Sequence, residues 1–81
     1  MIYYVEDDEN IRELVVYTLN QTGMTAVGFS DAKEFKKALV GAVPELILLD
    51  IMLPGEDGLS ILRHLKDDAR TAYIPVIMVT A

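Results

Sequence analysis

Acidic residues stand directly after two apolar runs in this sequence: Glu6-Asp7-Asp8 follows "IYYV", and Asp50 follows "LILL". A hydroxyl, Thr80, stands directly after a third run, "PVIMV". Carboxylates that share a site repel one another and hold their protons more tightly unless a cation neutralises them. An all-oxygen donor set without histidine or cysteine suits a hard ion, and an open site that keeps waters suits Mg²⁺ better than Ca²⁺. An aspartate whose charge is offset in this way is a competent nucleophile toward phosphorus. Glu6, Asp7, Asp50 and Thr80 together therefore point to phosphoryl acceptance on Asp50. Each also has a plainer use taken alone: Asp7 or Asp8 as a helix cap, Asp50 as an ordinary loop acid. Capping does not explain why they should share one edge.

Whether they share it depends on the elements between them. "IYYV" (2–5) reads as a buried strand, and "TAVGF" (25–29) as a weaker one because of Gly28. "LILL" (46–49) and "PVIMV" (75–79) are the third and fourth strands. Between the first two, residues 9–22 carry Ile11, Leu14, Val15, Thr18 and Leu19 at helical spacing. Asp8 or Asn10 can cap that start, with Asn10 to Glu13 matching a capping box, and Gly23 ends it. A second helix opens at Ser30 or Asp31, turns Ala32, Phe35, Ala38 and Leu39 inward, and closes at Gly41. A third spans about 58–68 and is expected to bury Leu59, Ile61, Leu62 and Leu65. The β-α-β-α-β-α-β alternation predicts an α/β fold, a parallel sheet with helices on both faces. All strands then end at one edge, where ligands bind in open sheets of this kind.

Bulk properties agree. Eighty-one residues, 52% of them apolar, make one small packed domain over 1–81. Thirteen acidic against seven basic residues give a net charge of -6, which disfavours direct contact with nucleic acid. The absence of cysteine removes disulfides and thiolate metal sites. The strand pattern starts at Ile2, leaving no room for a cleaved leader, and no apolar run nears the roughly 20 residues that span a bilayer. A cytoplasmic domain with no membrane contact is expected.

With these motifs in place, the chain resembles a response-regulator receiver domain of two-component signalling, closest to the OmpR/PhoB-like branch. The resemblance covers residues 2–81 and rests on "VEDDENIREL", "PELILLDIMLPGEDGLSILRHLK" and "IPVIMVTA" in that order. It implies a flavodoxin-like (CheY-like) doubly wound parallel sheet of strand order 2-1-3-4, which strand count alone does not decide. It also implies that Asp50 takes a phosphoryl group from a sensor histidine kinase. Asp7 would ligate Mg²⁺ with Glu6 beside it, and Met52 would offer its backbone carbonyl. Thr80 would contact the phosphoryl group as a switch hydroxyl, Ala81 would keep the approach open, and Pro54 and Gly58 would shape the loop after Asp50. Asp8 fits capping at least as well as metal binding. Measured against the family pattern, the expected fold lacks the last strand and the last two helices. The strand-terminal lysine that stabilises the phosphoryl group goes with them, and none of Lys33, Lys36, Lys37 or Lys66 follows a strand to replace it. The apolar fourth strand then becomes a sheet edge, open to homodimer pairing or a domain swap.

Other readings compete. A haloacid-dehalogenase-like hydrolase needs a second acid at position 52, which is Met; a flavodoxin-like nucleotide site would be repelled by "EDDEN". A pseudo-receiver acting as an oligomerisation or scaffold module, without phosphotransfer, is the main alternative. His64 and the Lys33, Lys36, Lys37 patch read as solvated helix surface, and Tyr3 and Tyr4 as strand residues.

Overall fold

A computed structural model of the chain describes residues 1–79. Its elements run β1 (Ile2–Val5), α1 (Glu9–Gln21), β2 (Ala26–Phe29), α2 (Ala32–Gly41), β3 (Leu46–Asp50), α3 (Gly58–Asp67) and β4 (Val76–Val79). The four strands pair in parallel in the order β2-β1-β3-β4, as expected. Asp50 is the last residue of β3 rather than the first beyond it. Among the described residues no helix is long and apolar enough to cross a membrane.

Each helix starts on an aspartate whose side chain accepts an otherwise unpaired N–H: Asp8 from Ile11 (3.0 Å), Asp31 from Glu34 (2.8 Å) and Asp57 from Ser60 (2.8 Å). Such caps contribute about 1 kcal/mol apiece. The Asn10–Glu13 capping box does not form, because Asp8 already caps the helix and Asn10 lies inside it.

Parallel register sorts the strand side chains into two faces. Tyr3 and Val5 align with Ile47 and Leu49, and all four join Phe35 and Leu39 of α2 with Ile61 and Leu65 of α3 in one buried core. Tyr3, Phe29 and Phe35 meet there edge to face, with ring centroids 4.9 to 6.3 Å apart. The opposite face carries Ile2, Tyr4 and Gly28 and is covered by α1.

Two expectations are corrected. Leu59 is 53% exposed rather than buried. The inward stripe of α3 is Gly58, Ile61 and Leu65, and Leu59 sits about 100° away from its first member. On α1 the half-buried residues are Arg12, Val15, Val16 and Leu19, whereas Ile11, Leu14 and Thr18 face outward. Gly28 explains the rotation: its bare backbone admits the Arg12 stem and Val16, and a Cβ there would lie 2.8 Å from Arg12 Cγ.

Gly58 brings α3 closest to the loop after β3. Its N–H donates to Ile51 O (2.8 Å), and a Cβ at this position would lie 2.2 Å from Asp50 O. Gly58→Ala should therefore destabilise the fold by about 2–3 kcal/mol through forced backbone displacement. Gly41→Ala, at a helical position with no atom within 4 Å of the added Cβ, should be neutral or stabilising by up to about 1 kcal/mol. Urea midpoints of the two variants check both; equal midpoints would contradict the close approach.

Candidate functional site

β1 and β3 lie side by side at the point where strand order reverses, so residues leaving their C-terminal ends enter one crevice. The sequence sends acids out of both. One carboxylate oxygen each from Glu6, Asp7 and Asp50 lies within 4.8 Å of the others. Glu6 and Asp50 are buried and Asp7 is exposed, so the cluster opens to water on the Asp7 side.

Backbone geometry holds these groups. The Glu6 N–H donates to Phe29 O (3.0 Å), which carries the β1–β2 pairing one residue past the strand. Arg12 reaches back from α1 and donates through Nη1 to Glu6 O (2.8 Å) and Asp7 O (3.4 Å). Its charge is therefore directed at carbonyls. Among the described residues no lysine or arginine forms an ion pair with Glu6, Asp7 or Asp50. Asp50 accepts from the Met52 N–H (Oδ1, 3.1 Å), which brings the Met52 backbone to the acid while its side chain points to solvent.

Glu6 shows the strain of this crowding. Burial pushes its carboxyl above the ordinary range. The Asp8 N–H bond (Oε2, 3.3 Å) opposes the rise, and neighbouring Asp50 and Asp7 add to it. The Tyr4 hydroxyl donates to Glu6 Oε1 (3.3 Å), and burial together with the Glu6 charge pushes the phenol up to about 12. It thus stays a donor throughout the physiological range.

Of the residues singled out in the sequence, Glu6, Asp7 and Asp50 converge, Met52 adjoins them through its backbone, and Asp8 caps α1. Thr80 and Ala81 lie outside the described residues; Val79 is the register partner of Asp50, and its carbonyl accepts from Ile51 N–H (3.4 Å). Tyr4 and Arg12 were missed. Alternation along a strand carries the signal for Tyr4, because residues 4 and 6 share a face.

Lys36 and His64 are exposed on their helices, as expected, and a second polar cluster gives both a partner. Glu56, in the loop after Asp50, accepts from Lys36 of α2 and from Ser60 Oγ (3.2 Å), and His64 Nδ1 lies 2.9 Å from its Oε2. One carboxylate so ties the loop to both helices, and its carboxyl is held below the ordinary range, mainly by the Lys36 hydrogen bond. A cavity of about 260 Å³ between α2 and α3 lies away from the acidic edge, with an apolar floor that includes Phe35, Leu39 and Leu65.

Comparison with known proteins identifies the family. The family model of the response regulator receiver domain matches residues 2–81. The chain is 44% identical over 80 residues to the phosphate regulon transcriptional regulatory protein PhoB of Escherichia coli, covering 99% of this chain and 35% of that protein. It is 36% identical to the DNA-binding transcriptional regulator NtrC of the same organism, covering 100% of this chain and 17% of that one. The chain thus spans 35% or less of these relatives' length. The N-terminal domain of a response regulator receiver protein from Methanoculleus marisnigri superposes with a TM-score of 0.93 at 36% identity, over 99% of this chain and 65% of that chain.

The two glutamates should respond oppositely to substitution. Ionised Glu6 opposes folding, so Glu6→Gln should raise the urea midpoint at neutral pH without divalent cations. Glu56, with its folded pKa depressed, contributes stability above the ordinary glutamate range that is lost as pH falls through its lowered folded value. Glu56→Gln should cost about 0.5–1 kcal/mol at neutral pH, the half-exposed Lys36 limiting the effect. That gap should close in acid. A gap that widens below the glutamate range would refute the Lys36 pairing as its source.

Proposed function

The chain belongs to the response regulator receiver domain family, and from that premise we propose that Asp50 accepts a phosphoryl group from a sensor histidine kinase, with Mg²⁺ held at the acidic edge. The observation that carries this reading is the convergence of Glu6, Asp7 and Asp50 from separate strand ends, with no cationic side chain paired to them among the described residues. The donor set fits the ion: oxygen ligands alone, a partly open site, and negative charge in excess. Asp7 is the direct ligand, with Glu6, Asp50 and the Met52 backbone carbonyl completing the protein's share. Bound there, Mg²⁺ would offset the repulsion between these carboxylates and an incoming phosphoryl group.

In the transfer, an Asp50 carboxylate oxygen attacks phosphorus, the phosphorus–nitrogen bond of the donor phosphohistidine breaks, and the imidazole nitrogen leaves. The Met52 N–H holds Asp50 Oδ1, which leaves Oδ2 for one of the two roles, nucleophile or ligand. Thr80 is assigned the phosphoryl contact and switch role. The protein is a regulatory acceptor rather than an enzyme turning over a separate substrate. Its acidic charge speaks against nucleic acid as a direct ligand of this segment, and work in the cytoplasm belongs to the same reading.

A second reading has its own observation. β4 stands at the edge of the sheet among the described residues, and Ile77 on it is 53% exposed. Such an edge favours strand pairing between copies, by homodimer or swap, whether or not phosphotransfer occurs.

Calorimetric titration with Mg²⁺ and beryllofluoride separates the two. The wild type should bind both, and Asp50→Ala should abolish the beryllofluoride signal; silence in the wild type favours the scaffold. At ten times its dissociation constant, Mg²⁺ should add roughly 1.4 kcal/mol of stability, and Asp7→Ala should remove that gain. Sedimentation over a concentration series, with Ile77→Lys as the disrupting variant, tests the edge.

A further inference from the structure

We infer that Tyr4 is a positioning residue for the acidic site, holding the Glu6 carboxylate in the orientation that a bound cation requires. Tyr4 is 2% exposed, and its hydroxyl lies 3.3 Å from Glu6 Oε1. The Asp8 N–H lies 3.3 Å from Oε2 of the same carboxylate. Two donors, one on each oxygen, fix the plane of the group and leave lone pairs on both oxygens for a cation or its water.

The arrangement has a physical consequence. A buried carboxylate beside Asp7 and Asp50 would relieve repulsion by rotating away from them. A neutral donor anchored in the sheet prevents that rotation without consuming the negative charge that attracts the cation, as second-layer donors do around metal ligands. The phenol has no competing hydrogen bond among the described residues, and β1 supplies it at a fixed height because strand alternation sets residues 4 and 6 on one face. Tyr3 carries the same hydroxyl on the other face, where it donates to Ala42 O (3.3 Å), far from the site in function. Tyr17 and Tyr73 are mostly exposed.

This role rests on the Mg²⁺ reading above, and the test separates the two. Mg²⁺ alone is titrated into wild type, Tyr4→Phe and Tyr3→Phe, followed by calorimetry and by tyrosine emission; the chain has no tryptophan to mask it. A tyrosine hydroxyl bonded to a carboxylate emits weakly, so displacement of Glu6 charge onto the cation should change the wild-type emission with the calorimetric midpoint. Tyr4→Phe should bind Mg²⁺ about tenfold more weakly and lose the emission response, while Tyr3→Phe keeps both. Melting without Mg²⁺ shows whether each variant is folded; a purely structural contribution from Tyr4 would lower that melting temperature and leave the affinity alone. Unchanged affinity in Tyr4→Phe, or equal weakening in Tyr3→Phe, overturns the positioning role while the metal site stands. A wild type that takes up no Mg²⁺ overturns both.

Discussion

Mutual repulsion among three carboxylates is the constraint around which this domain is organised. Two unit charges at the 4.8 Å limit that encloses one oxygen of each acid would repel by roughly 3.5 kcal/mol at an effective dielectric of 20, before water at the exposed Asp7 screens its share. A domain of this size has only about 5–10 kcal/mol of net stability to set against such a cost. The scaffold must therefore hold the acids together against a force comparable to its own margin, and it does so with neutral donors: the Tyr4 hydroxyl and the N–H groups of Asp8 and Met52. None of these neutralises the charge. That uncompensated negative charge is what the proposed cation site requires.

The load falls on the backbone more than on side chains. Glu6 is held in line by pairing to Phe29 O and by Arg12 on its carbonyl, and Arg12 can reach because Gly28 leaves space beneath it. At the other strand, Gly58 packs its helix directly on the Asp50–Ile51 backbone. The aromatic and aliphatic core lies on the α2–α3 face and supplies most of the burial, so polar strain at the strand ends is opposed from one side of the sheet. α1 buries no residue fully, and its contribution to the site comes through Arg12 and the Asp8 cap.

Much of this was legible in the sequence for identifiable reasons. Strands were readable because parallel strands are buried on both faces and so appear as unbroken apolar runs such as "LILL". The α2 stripe was readable because Phe35 and Leu39 recur at helical spacing and are buried. Composition near a helix start does not say which residue faces the sheet, so Leu59 reads as inward; the close approach to Asp50 O turns Gly58 inward instead. The docking face of α1 is hidden from its own spacing for a related reason, since a glycine on a different element, Gly28, selects it.

The sequence by itself determined which groups were available and in what order: acids after the first and third strands, a glycine where α3 must approach, aspartates at helix starts. Those properties are local, set by residue type and period. Only the tertiary structure decided that carboxylate oxygens of Glu6, Asp7 and Asp50 converge within 4.8 Å, that Tyr4 donates to Glu6, and that Glu56 meets Lys36 and His64. Each depends on strand order, helix rotation or loop closure, and those follow from packing among residues far apart in the chain, which no local pattern encodes.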